Sequence, residues 1–310
     1  MTANNTMVTE FILLGFSMLK EVQPLLFPLF LLMYVVTVAG NVCIILTYNL
    51  IANLHTPMYF FLANFSFLEI FYVTSTTPNM LSNFLSDHKA ISFYGCVIQV
   101  YCFLLLAGTE CYMLAVMAFD RYNAICRPLL YTVIMNKGAC VKHVIGSWSI
   151  GAINAVLHTV LTFSLPFCRS NQINHFFCEI PSLLKLSCQD TWINELTTFT
   201  AAGCIMIGSF ILIMLSYIQI ISIILQGNLG SGRKKAFSTC TSHLIVIAIF
   251  YGPGIIVYFR PKSNYDSSQD AIVALMYTVI APLLNPFIYT LRNKKVKLGI
   301  KKIFCQKTRH

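Results

Sequence analysis

The feature that most constrains this chain is a run from Leu25 to Leu46 without a single charged residue. Roughly 20 consecutive apolar residues is the length of a helix that crosses the hydrocarbon core of a bilayer. Inside a bilayer only helices or closed barrels satisfy every backbone hydrogen bond. The run is not alone. Apolar stretches broken by short polar patches fall at 24–50, 57–85, 93–122, 140–164, 196–226, 236–260 and 270–291, which predicts seven spanning helices. Only 10% of the 310 residues are charged, against about 25% in a soluble domain. The expectation is therefore an all-α membrane protein: a single seven-helix domain over residues 1–310, with a 1–23 outer tail and a 292–310 inner tail. Prolines 78, 253, 282 and 286 lie within spans, where each is expected to bend its helix. Lys294–Cys305 reads as a short amphipathic helix suited to the membrane surface. No cleavable leader is evident in the first 23 residues, so the first span is expected to act as its own insertion signal.

Charge placement sets orientation. With residue 1 outside, the inner side collects fifteen of the 21 basic residues, from Arg121 and Arg127 through Lys235 to the tail, and Asp120 is its only acid. The outer side holds six basic residues and eight acids. That asymmetry satisfies the positive-inside rule, so the net charge of +10 reads as topology and lipid attraction rather than a nucleic-acid footprint. A plasma-membrane protein with an extracellular amino terminus is expected. Asn4-Asn5-Thr6 then forms a glycosylation acceptor at Asn4 on the outer tail, whereas the Asn64 acceptor pattern falls within a span.

Of the twelve cysteines, Cys96, Cys168, Cys178 and Cys188 face the oxidising side. Four cysteines allow three pairings. Cys96–Cys178 would tie the long outer loop to the third span and Cys168–Cys188 would close that loop on itself; this pairing is favoured, although spacing does not determine it. Nearby His175 lacks the spacing of a zinc ligand set, and no metal centre is expected.

Glu69 and Glu110 are acids at membrane depth, where ionisable groups are functional hypotheses by default. Either both are protonated and silent, or they join Asn41, Ser66 and Asn285 in a polar pocket able to hold a sodium ion or a proton. Glu110 and Arg121 are eleven residues apart, almost three helical turns, so they share a face of the third span. No other cofactor is expected. A hydrolase acting through the two carboxylates lacks a nucleophile or a water path. A transporter would show inverted repeats and paired broken helices, which are not seen.

Ordered motifs carry a resemblance. Met117-Ala118-Phe119-Asp120-Arg121-Tyr122-Asn123-Ala124-Ile125-Cys126 closely resembles the odorant-receptor signature MAYDRYVAIC. Gly40-Asn41, Leu54-His55-Thr56-Pro57-Met58-Tyr59-Phe60-Phe61-Leu62, Lys235-Ala236-Phe237-Ser238-Thr239-Cys240 followed by Ser242-His243-Leu244, and Pro282-Leu283-Leu284-Asn285-Pro286-Phe287-Ile288-Tyr289 extend it along the chain. The Asp-Arg-Tyr and Asn-Pro-x-x-Tyr elements resemble rhodopsin-like G-protein-coupled receptors generally; the other runs are similar to odorant receptors specifically. The chain departs from the usual pattern at Phe119, Asn123 and Glu69.

The resemblance implies a receptor for a small, mainly hydrophobic volatile ligand that activates a stimulatory, olfactory-type heterotrimeric G protein and raises cyclic AMP. It implies a switch at Asp120, Arg121 and Tyr122, with Tyr217 and Tyr289 lining the inner cavity. It also places the ligand in the outer half of the bundle. There Phe103, Leu104, Ala107, Gly108 and Cys111 lie on one face of the third span, and Asn154 and His158 on one face of the fourth. Thr198, Ala202 and Ile205 follow on the fifth, Tyr251, Ile255 and Tyr258 on the sixth, and Leu275 and Thr278 on the seventh. For any one apolar member, helix packing is the plainer role. No acid on the outer third span is placed to pair with an amine. Gly252-Pro253-Gly254 is expected to act as a hinge, and Arg233-Lys234-Lys235 to sit near the G protein or to anchor the topology. The alternatives are a rhodopsin-like receptor for a non-odorant small molecule or lipid, and a channel or transporter.

Overall fold

A computed structural model describes residues 8–16, 21–86, 88–168, 170–226, 230–258, 267–292 and 296–298. Seven long helices form a bundle: α1 (Gln23–Leu50), α2 (Pro57–Leu85), α3 (Phe93–Cys126), α4 (Lys137–Phe163), α5 (Trp192–Gln226), α6 (Gly230–Tyr258) and α7. The last is built from Ser267–Leu275, a π-helical turn at Met276–Ile280, and Ala281–Arg292. The π turn ends two residues before Pro282, whose missing N–H and bulky ring disrupt the regular ladder in the preceding turn. By contrast α6 runs helically through Gly252-Pro253-Gly254 without a break. Asn4, the side chain of Tyr258, the Arg233-Lys234-Lys235 side chains and most of the Lys294–Cys305 segment lie outside the described residues.

Local signals position these helices. Pro24 and Pro57 enter their helices in the first turn, where no N–H is required. Ser92 caps α3 by accepting the Gly95 N–H at 3.1 Å, and Asn136 caps α4 through Ala139 at 2.9 Å. Helix α3 continues past its apolar run to Cys126, closing with the Arg127 N–H on the Asn123 carbonyl.

Helix α3 is the central post, packed on α2, α4, α5 and α6, while α7 packs on α1, α2 and α6. In the most apolar stretch of α3, 56% of residues are buried, against 22% in α1 and α5, which expose large apolar side chains such as Leu32 and Phe199 on the outside of the bundle. Close approach of α3 and α4 depends on glycine: a Cβ on Gly151 would lie 2.6 Å from the Leu105 carbonyl oxygen. Gly40 plays the same part between α1 and Pro286, where a Cβ would sit 2.9 Å from the ring.

The outer end is closed by a small sheet of order β2-β1-β3. Strand β1 (Glu10–Leu13) is central; it pairs antiparallel with β2 (Ala90–Ser92) and parallel with β3 (Gln172–Ile173). Alternation buries Phe11 and Leu13 on one face. Phe11 packs edge-on to Phe167 at 5.5 Å between centroids. Disulfides join Cys96 to Cys178, with Cα atoms 5.6 Å apart, and Cys168 to Cys188, 5.8 Å apart.

Candidate functional site

Three layers of polar and aromatic groups run down the bundle. At the inner end of α3, Arg121 donates from Nε to Asp120 Oδ2 at 3.0 Å and from Nη2 to the same oxygen. The Tyr131 hydroxyl, on the short helix Tyr131–Ile134, donates to Asp120 Oδ1 at 2.7 Å. Asp120 is 1% exposed, so this carboxylate is sequestered with both oxygens engaged. Across the bundle Tyr217 of α5 shares a 2.7 Å hydrogen bond with His243 Nδ1 of α6. Tyr289 of α7 packs edge-on to Phe65, and its buried hydroxyl has no partner among the described residues. Tyr122 instead lies under the Arg127 guanidinium, 5.4 Å from its ring centroid. Asn123 is fully buried; its amide donates to the Phe119 carbonyl, but its own oxygen has no donor among the described residues.

In the middle layer Glu69, Glu110, Asn41, Ser66 and Asn285 are all buried. Asn285 donates to Glu69 Oε1, and Glu110 is an electrostatic neighbour of Glu69. Asn41 is turned into its own helix, donating to the Thr37 carbonyl at 3.0 Å. Glu69 Oε2, both Glu110 oxygens and Asn285 Oδ1 have no hydrogen-bond partner among the described residues. No cluster of three or more His, Cys, Asp or Glu suited to a metal occurs among those residues.

In the outer layer Phe103 packs against Tyr72, Phe177 and Tyr277, with centroids 5.7, 5.0 and 6.3 Å away. Leu104 packs instead beneath the sheet with Phe11 and Cys178, and Ile255 is 40% exposed. Gly108 and Cys111 are buried, while Ala107, Asn154, Thr198, Ala202, Ile205 and Leu275 are half-buried. Tyr251 is held by Ser209, oxygen to oxygen at 2.7 Å, and Thr278 bonds its own helix at Ala274. His158 Nδ1 lies 3.5 Å from the Thr198 hydroxyl. A small cleft lined by Leu13, Phe16, Asn83, Phe84, Lys89 and Phe176 lies at the outer rim, apart from this wall.

Above the wall, Gln99 of α3 accepts the Cys178 backbone N–H at 2.8 Å and donates to the Ser75 carbonyl at 3.0 Å. His175 stacks on Phe176 and lies 3.7 Å from Glu179, with 1% of its surface exposed. Burial pushes its imidazole below the ordinary histidine range, against the opposing pull of Glu179, the Phe177 backbone and Asp270. Reading the chain residue by residue misses Gln99 and Tyr131, whose partners lie on other elements, and leaves His243 as a motif letter without a role. A buried glutamine three residues past Cys96 and a tyrosine near Asp120 are the only local signals available.

Comparison with known proteins accords with this architecture. The profile of the family described as "Olfactory receptor" matches residues 30–307. Olfactory receptor 5M5 of Mus musculus is 49% identical over 294 residues, covering 95% of this chain and 92% of that protein. Olfactory receptor 2A5 of Homo sapiens is 46% identical over 304 residues, covering 98% of each. The fold is that of squid rhodopsin, with a TM-score of 0.72 at 16% identity over 93% of this chain and 86% of the other. With profile, relatives and helix bundle in agreement, the chain belongs to the olfactory receptor family, whose members are seven-helix G-protein-coupled receptors and not enzymes.

Proposed function

We propose that this receptor binds a small, mainly hydrophobic odorant in the outer half of the bundle and activates a stimulatory, olfactory-type G protein, raising cyclic AMP. The observation that carries this reading is the sequestered Asp120–Arg121 pair, pinned by Tyr131 from a neighbouring element. Release of Arg121 from Asp120 would turn a buried pair into an exposed cation at the inner face, where a G protein docks. Tyr217, His243 and Tyr289 stand across the same end as groups able to receive it. The wall of Phe103, Ala107, Cys111, Ala202 and Ile205 supports an apolar ligand, because such pockets are lined by hydrophobic side chains with few polar ones.

The buried oxygens of Glu69, Glu110 and Asn285 suit a small hard cation such as sodium, which oxygen donors favour. Bound there, a cation would neutralise the paired carboxyls and favour the resting state. The charge asymmetry supports an extracellular amino terminus at the plasma membrane, with Asn4 available for glycosylation.

The test is a panel of odorants applied to cells supplied with the stimulatory G protein, comparing wild type with Arg121→Ala. Ligand-evoked cyclic AMP in wild type, lost in the variant at equal surface level, is expected. A ligand-gated current that persists without any G protein would sink the reading.

A further inference from the structure

The outer wall contains few polar side chains, and most of them are already engaged. Tyr251 is held by Ser209, Ser209 also bonds the Ile205 carbonyl at 2.5 Å, and Thr278 bonds the Ala274 carbonyl at 2.7 Å. The face of α4 is different. Asn154 and His158 are four residues apart and share that face. The Asn154 amide lies over Gly108 of α3: a Cβ there would stand 3.8 Å from Asn154 Nδ2 and 3.3 Å from Gly151 Cα. Glycine at 108 lets α3 approach α4 closely beside this half-buried amide, and none of the hydrogen bonds among the described residues engages it.

His158 is 3% exposed, and its one hydrogen-bonding neighbour among the described residues is Thr198 of α5, at 3.5 Å. That separation is at the outer limit for a hydrogen bond. Both groups thus retain capacity for a shorter bond to a third atom. Amide, imidazole and hydroxyl offer donors and acceptors without a fixed charge. A buried ligand charge would go uncompensated there, whereas a neutral oxygen would be satisfied.

Resting on the reading that the ligand occupies the outer half of the bundle, we propose that Asn154, His158 and Thr198 form a polar anchor for a single neutral oxygen. The ligand class is then small oxygenated molecules such as ketones, aldehydes, esters or alcohols. The apolar remainder points inward toward Cys111, one turn below Gly108 on α3, and toward Tyr251, whose hydroxyl is occupied by Ser209. Hydrocarbons, carboxylates and ammonium compounds are disfavoured, the first for leaving the anchor unsatisfied and the others for their charge.

Purified full-length receptor in lipid nanodiscs is titrated with straight-chain methyl ketones, alkanes of equal length and the matching carboxylates, with thermal stabilisation as readout. Ketones are expected to bind more tightly than the other two series. His158→Phe and Thr198→Val are each expected to weaken ketone binding about tenfold, the size of one lost hydrogen bond, and not to weaken alkane binding, whose penalty for an unsatisfied anchor they relieve. His158→Gln, which restores a donor and an acceptor, is expected to recover most of the loss. If His158→Phe does not fold, the isosteric Thr198→Val decides alone. Alkanes or carboxylates that bind as well as ketones, or variants that shift ketones and alkanes equally or not at all, would overturn the anchor and leave the outer pocket standing. Failure of all three series to bind wild type would overturn both.

Discussion

The two ends of this bundle are held by different kinds of bond. At the outer end a disulfide, a three-stranded sheet and the Gln99 clamp tie loop, tail and α3 together. Each of those contacts is covalent or engages a backbone group. At the inner end Asp120, Arg121 and Tyr131 meet through side-chain bonds alone, as separately do Tyr217 and His243, and the Tyr289 hydroxyl and the second His243 nitrogen have none among the described residues. Groups with unused capacity beside a satisfied pair are what a two-state element requires. On the proposed function, a ligand held at the outer end would bias a switch at the inner one.

Substitutions that test this contrast fall in order of size. Cys178→Ala is expected to have the largest effect. It removes the bond closing an 82-residue separation, at a cost of about 2–5 kcal/mol, and surface delivery and melting temperature should both collapse. A variant that reaches the surface with unchanged melting behaviour would show that the outer end does not depend on it. Tyr131→Phe deletes a hydrogen bond to a buried carboxylate, a term of about 1.5–3 kcal/mol. The contrast predicts raised ligand-free signalling with little loss of surface protein; lower stability at unchanged basal signalling would make the inner end merely structural.

Gln99→Leu strands the buried Cys178 N–H and should lower the melting temperature by an amount equivalent to about 1–3 kcal/mol, with basal signalling unaltered. Asn123→Val removes an orphaned amide oxygen from the inner core, and is expected to stabilise the receptor by about 1 kcal/mol, read as higher surface yield.

The smallest effect concerns pH. His175 is held below its unfolded pKa, so the unfolded chain gains a proton before the folded one does. Its contribution is present above about pH 6.5, the unperturbed histidine value, and is lost as pH falls below it. Melting temperatures measured at neutral and mildly acidic pH should diverge for wild type and converge for His175→Phe. Equal divergence in both proteins would remove His175 from the account.

The seven helices were legible because hydropathy is summed over some twenty residues, and lipid leaves helices as the available solution. Expectations at their ends drifted by a few residues, as at Cys126 and Lys137, where single caps outweigh the sum. The sheet was not legible. Glu10–Leu13 is four residues long and is a strand only because Ala90–Ser92 and Gln172–Ile173 meet it. The Asp120–Arg121 pair was visible as a motif, but Tyr131 and Gln99 act on elements that only the folded chain brings near. The outer wall was placed by resemblance, and helical spacing alone did not distinguish Leu104, which packs under the sheet, from Phe103, which lines the interior.

The central position of β1 bears on how the receptor is made. The tail emerges first, yet one of its partners, Asn171, follows 161 residues later, after four spans have been synthesised. At about 5–20 residues per second, that interval lasts roughly 10–30 s. Until then Phe11 and Leu13 have the β2 segment beside them but not β3, the strand that completes the sheet. The sheet that caps the bundle is thus complete in sequence while three of the seven helices are still to be made.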